Sequence, residues 1–419
     1  MKGATVFAVV APHRRSIILS LLLVVGSLLL GGCASSPTTT AKPKTRQYAF
    51  WPPAPDDPHV QFLISYQSSQ DIAPEGSKFD EMLYGKTKGV VIVKPYGLAM
   101  WNGRIYVTDL RTHGVIVLDL RQKQTRLMGF GGRADLQTPV AIAIAKDGTK
   151  YVVDSGRNVI VAFDPEERYV ATFALKDFNP VDVTIWENEL FVSDFEASVV
   201  KVLDARTGAL LRTIGAPGVG DGQFVRPLGI RMDNQGNLLV ADVLKCSVQK
   251  FTRDGKFLMA FGRTGDRPGE FVRPKHLAVD TDGMIYVVDA AFSNVQVFDD
   301  KGKIVGYFGS QGDHPGAMDL PAGVWISEND LDVFSEYVHP AFQARRVIIV
   351  SNQFGPNKVA VYVEGSLKAG KTLADLNGSR SEVQSGLNTG GPPTSQPITI
   401  GVPLPPELLP TTGPAGKGQ

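Results

Sequence analysis

A proline-led unit recurs six times in the middle of the chain, and no other feature restricts the fold as much. Each unit opens on proline, runs through a short apolar strand, a turn and a second strand, and ends on an acidic residue. The units read PYGLAMWNGRIYVTD from Pro95, PVAIAIAKDGTKYVVD from Pro139 and PVDVTIWENELFVSD from Pro180. They continue as PLGIRMDNQGNLLVAD from Pro227, PKHLAVDTDGMIYVVD from Pro274 and PAGVWISENDLDVFSE from Pro321. The prolines stand 44, 41, 47, 47 and 47 residues apart, a period that signals stacked supersecondary units.

Each unit carries four strand signals. The Pro227 unit gives LGIRM, NLLVAD, SVQKF and FLMAFG, each bounded by Gly, Asp, Asn or Arg-Asp-Gly turns. Six such units predict an all-β fold, a six-bladed β-propeller with four-stranded blades, whose radial closure protects its sheet edges. An open solenoid, the competing architecture, uses shorter repeats and needs caps. The chain start supplies a closure test. QFLISYQSSQ (Gln61 to Gln70) matches the pattern of KFLMAFGRTG (Lys256 to Gly265), so it reads as the fourth strand of a unit lacking its first three. The last unit has strands expected near 322–327, 331–336 and 345–351, and residues 60–66 fill its fourth place. KVAVYV (Lys358 to Val363) is then surplus: it either adds an outer strand or competes for that place.

The pattern P-x-G-[IL]-x-V-D-x-x-G-x-[IL]-Y-V-x-D, followed by V-x-V-F-D-x-x-G and ending F-G, resembles the NHL-repeat six-bladed propellers. The Pro274 unit, ending NVQVFDDKGKIVGYFG, is nearly ideal, and the likeness covers about residues 95–351 plus the closing strand. It implies a fold; propellers host binding, lyase, lactonase and scaffold roles alike.

The flanks read as processing and tethering segments. Lys2, Arg14 and Arg15 precede an apolar run from Ile17 to Leu30 that is too short for the ~20 residues of a membrane span. The run meets LGGC, which resembles the bacterial lipobox and implies cleavage of a signal peptide (1–32) and lipidation of Cys33. Ala34 in place of Asp implies the outer membrane, and several acyl chains give stable anchoring. Residues 33–58 then form a Ser/Thr/Pro-rich tether, with Trp51 expected to pack on the body. Residues 59–364 are the propeller, and 365–419, Pro- and Gly-rich, are expected to be disordered. Lipobox, tether and propeller together resemble bacterial lipoprotein propellers, some associated with outer-membrane multihaem cytochrome systems.

Near-balanced charge, 43 Lys+Arg against 42 Asp+Glu, argues against a nucleic-acid binder held by a basic field. Two cysteines exclude a disulfide scaffold, and Cys246 reads as an inert buried thiol. Gly365 to Thr372, GSLKAGKT, matches the phosphate-loop pattern literally, but no βαβ unit follows it, so no nucleotide is expected. DNQGN from Asp233 and DTDG from Asp280 suggest calcium loops, yet both sit between strands where hairpin turns belong. The acidic column Asp109, Asp154, Asp194, Asp242, Asp289 and Glu336 reads as turn caps accepting backbone N–H groups.

Functional signal lies where the units differ. Two residues after each proline stand Gly97, Ala141, Asp182, Gly229, His276 and Gly323. Asp182 and His276 break a column of small residues suited to a crowded channel, and Lys275 adjoins. They are the candidate catalytic pair, and His276 the candidate metal ligand. A divalent site wants three protein ligands, so no cofactor is expected and a metal is weakly supported. Lys94, Arg226 and Arg273 precede their prolines, with Arg133, Arg263 and Arg267 in the same loops. With Lys275 they form a cationic loop face able to receive an acidic partner. The loop YVHPAFQARR (Tyr337 to Arg346) adds Tyr337 and Phe342 as exposed interface candidates.

These readings converge on an outer-membrane-anchored propeller that binds or scaffolds partners in an envelope complex, the cytochrome systems named above included. The alternative is a channel-mouth hydrolase or lyase, lactonase-like or amidating-lyase-like, using His276 and Asp182.

Overall fold

The computed structural model describes residues 48–72 and 89–376. Its strands form a six-bladed β-propeller. The first blade comprises Pro95–Trp101, Arg104–Asp109, Gly114–Asp119 and Gln124–Met128, ordered from the axis outward. The next four repeat that order from inner strands Pro139–Ile144, Pro180–Trp186, Pro227–Met232 and Pro274–Val279. The inner strands follow one another around the axis, and the sixth, Pro321–Ser327, returns to the first.

The sixth blade is built from both ends of the chain. Its order from the axis is Pro321–Ser327, Phe342–Asn352, Val359–Leu367, Val60–Tyr66 and Ala49–Trp51. Residues 60–66 thus take the fourth place, as the sequence pattern requires. Two expectations need correction. Residues 331–336 are no strand: Leu331–Tyr337 is a 3-10 helix. Residues 358–363 are not surplus, because they belong to the third strand. The acidic periodicity of NDLDVFSE imitates the second strand, while the true one, ARRVIIVSN, lies further on. Ala49–Trp51 adds a short fifth strand, where Phe50 is 1% exposed and its ring lies 5.7 Å from that of Phe342. Burying one such ring contributes about 1.5–3 kcal/mol.

Six apolar clusters fill the described structure, one between each pair of neighbouring blades. The channel wall is tighter still. A Cβ on Gly229 would stand 2.6 Å from the His276 Cα, and one on Gly97 would stand 2.5 Å from the Val140 carbonyl oxygen. Side chains do not fit between these backbones, which explains the small-residue column.

The acidic column staples each blade together. The Asp289 carboxylate accepts N–H groups of Val272 and Arg273 from the incoming loop, and of Ala291 and Phe292 from the following turn. Asp109 and Asp242 do the same in their blades. Glu336 is not the sixth member, since it lies exposed in the 3-10 helix. Its place is taken by Asn352, which pairs with Pro321 as Asp109 pairs with Pro95 and accepts the Asp319 N–H. Asp233 and Asp280 likewise accept N–H groups within their own hairpin turns.

Asp289→Ala strips four backbone donors of their acceptor and should cost on the order of 3 kcal/mol in urea unfolding. Glu336→Ala, outside the column, should stay within about 0.5 kcal/mol. Equal losses would contradict the reassignment of that column.

Candidate functional site

The channel residues owe their direction to a repeated irregularity. In every blade the pairing of the first two strands slips just after the proline, between Pro180 and Asp182 in the third blade and between Pro274 and His276 in the fifth. A bulge re-aims the side chains beside it. The residues one and two places after the proline therefore both line the channel, Lys275 and His276 among them.

Asp182 and His276, from the third and fifth blades, come together across the axis, with His276 Nε2 3.5 Å from Asp182 Oδ2. Between them stands Arg231 of the fourth blade, which the sequence reading missed. Its Nη1 lies 3.8 Å from Asp182 Oδ2, its Nη2 lies 3.0 Å from His276 Nε2, and its guanidinium covers the Trp325 ring at 5.5 Å. The signal was present one step down the strand. Four residues after each proline stand Ala99, Ala143, Thr184, Arg231, Ala278 and Trp325, so Arg231 departs from its column as His276 does from its own.

The trio is satisfied internally. Asp182 accepts the N–H groups of Val183 and Ile230, and Arg231 Nη1 donates to the Ile230 carbonyl. The Val324 N–H donates to His276 Nδ1 and the Arg231 guanidinium stands at Nε2, so donors face both ring nitrogens and oppose a second ring proton. Burial pushes the Asp182 carboxyl up to about 6 against the pull of Arg231. Burial, then the Arg231 charge, holds His276 well below its usual range, in the neutral form. Asp182 is 3% exposed and His276 6% exposed, and the enclosed space beside them is about 10 Å³, room for about one water. Among the described residues no cluster of three or more His, Cys, Asp or Glu has metal-binding geometry.

The loops before the prolines define an upper face. Lys94 Nζ lies 5.8 Å above the Phe354 ring and Lys275 Nζ 5.6 Å above the Tyr96 ring. Arg226 stacks on Phe195 and lies 3.7 Å from Glu196, while Arg263 pairs with Glu270. Burial, then the charges of Arg273 and Lys94, lowers Lys275 to about 8. Tyr337 and Phe342 do not join this face. They follow the lower end of the inner strand Pro321–Ser327, and Phe342 is 1% exposed in the core rather than exposed. Arg346 is buried too, among Asp280, Asp282, Glu328 and Glu364.

Cys246 is buried with its Sγ toward the carbonyls of Val243 and Val272. The Gly365–Thr372 segment runs off a strand into the 3-10 turn Leu373–Leu376, where Lys371 pairs with Asp375. Cys33, the signal segment, the tether to residue 47 and the tail from 377 lie outside the described residues. Two larger hollows lie off the channel. A groove of about 880 Å³ runs between the fifth and sixth blades beside Trp51 and Tyr307, and a hollow of about 410 Å³ lies at the lower mouth beside Trp101 and Trp325.

A family model described as a 6-bladed beta-propeller matches residues 233–299. The chain is 25% identical over 169 residues to the Arabidopsis thaliana protein Suppressor of quenching 1, chloroplastic, covering 32% of this chain and only 16% of that protein's length. Similar solved structures include virginiamycin B lyase from Staphylococcus aureus, 13% identical, covering 67% of this chain and 86% of the other, TM-score 0.46. A gluconolactonase from Xanthomonas campestris is 13% identical, covering 74% and 99%, TM-score 0.47. A chain of a nidogen/laminin complex is 16% identical, covering 60% and 92%, TM-score 0.43. The chain is a six-bladed β-propeller, and no residue role transfers from these distant relatives.

The folded state holds the Asp182 proton more tightly than the unfolded chain does. That contribution to stability is present below about pH 4 and lost as pH rises through about 6. Chemical denaturation from pH 4 to 7 should therefore show wild type losing stability relative to Asp182→Asn over that window. A flat or rising difference would contradict the burial argument.

Proposed function

We propose that the chain is an NHL-type binding propeller, lipid-anchored through Cys33 at the outer membrane, that scaffolds an envelope protein complex through its upper face. The observation that carries this reading is the filled channel. The residue pair best suited to catalysis is buried, mutually paired and left with room for about one water. A hydrolase or lyase using His276 and Asp182 needs both open to substrate, and neither is. The upper face, in contrast, offers Lys94, Arg273 and Lys275 with no carboxylate paired to them among the described residues, a surface that favours an acidic partner and fast encounter.

A photo-crosslinking residue placed at Arg273 on the full-length protein in cells should give a discrete larger adduct. One placed at Lys301, in a turn at the opposite end of the same blade, should not. Haem staining of the adduct distinguishes a cytochrome partner from another envelope protein. Recovery of monomer alone from both positions would overturn the scaffold reading.

A further inference from the structure

We propose that the upper mouth of the channel is an oxyanion site, in which Lys275 receives a carboxylate or phosphate group. The proposal rests on the upper face being the working face and names the chemistry it takes.

The Lys275 side chain lines the upper rim of the closed channel together with the other residues next to the six prolines. Five of those six positions are neutral: Tyr96, Val140, Val181, Leu228 and Ala322. Ala322 of the sixth blade is small, so Lys275 of the fifth reaches past it to the Tyr96 ring of the first. The ring face is the one partner found for that ammonium among the described residues, and a cation–π contact of about 0.5–2 kcal/mol only partly offsets the loss of hydration. Its other charged neighbours are Arg273 and Lys94, both positive.

A half-buried ammonium facing two further cations is disfavoured, and an arriving oxyanion would relieve that cost. Asp182 below cannot serve, because its oxygens are held by Val183, Ile230 and Arg231. An oxyanion at the mouth would accept from Lys275 Nζ, with Lys94 and Arg273 attracting it from the rim. The floor beneath is backbone packed on backbone at Gly97, Gly229 and Gly323, so the strand that carries Lys275 is held in place. Occupation would reverse the direction in which its neighbours push the Lys275 amine.

The test uses purified full-length protein with two probes, inorganic phosphate for a free oxyanion and an acidic Glu/Asp hexapeptide for a partner's carboxylates. Isothermal titration should detect binding of at least one probe. Lys275→Met should weaken it at least tenfold, and Lys301→Met, in a turn at the opposite end of the same blade, less than twofold. Competitive acetylation read by mass spectrometry should show the bound probe protecting Lys275 and raising the pH at which it reacts. Phosphate binding alone points to a free anion, and hexapeptide binding alone to an acidic protein segment. If neither probe binds wild type more tightly than Lys275→Met, the site does not exist. Crosslinks from position 273 with no binding of either probe would sink the oxyanion site and leave the scaffold standing. Anion binding without any crosslinked partner would do the opposite.

Discussion

The hydrogen-bonded seam between Val60–Tyr66 and Val359–Leu367 is the constraint on which the molecule depends. Every other blade is folded from one continuous stretch, and the inner strands pack in order around the axis, each against the next. Without the seam the sixth sheet would end at its third strand with an open edge. Gln61 adds side-chain bonds to the same joint, donating to the Tyr337 carbonyl and accepting the His339 N–H. Bringing residues so far apart in sequence together has an entropic cost, but that cost grows only slowly with loop length, and the buried sixth-blade clusters offset it.

Closure sets the geometry of the axis. Six inner strands forced into one ring approach so closely that three blades can place only glycine two residues after the proline. The ring has room there for a few larger side chains, provided they satisfy one another. Asp182, Arg231 and His276 do so from three successive blades, and His276 ties them to a fourth through Val324. A buried, mutually paired trio of this kind fixes register more readily than it performs chemistry. It closes the axis, and the charged side chains of the rim lie above it.

Much of this was legible in the sequence because local and global signals agree. Five prolines, five acidic caps and five sets of alternating strands specify five blades, and the likeness of 61–70 to 256–265 identified the closing strand. The sixth blade was misread where they diverge. Leu331–Tyr337 carries alternating apolar residues like a second strand, yet the strand lies ten residues later, behind a longer connection. That displacement misplaced Glu336, hid Asn352 and made Phe342 look exposed. Asp182 and His276 stood out as departures from a small-residue column. Arg231 was missed because only one column was compared, and the groove beside Trp51 was illegible because it joins residues distant in sequence.

The central claim is that the channel is closed and its histidine neutral, so that function lies at the rim. Nitrogen-15 NMR of the His276 imidazole from pH 5 to 8 tests it most directly. The account predicts a neutral ring throughout, with no titration in that range. A His276 that titrates near its ordinary value of 6.5 would mean an open, hydrated channel and would contradict it.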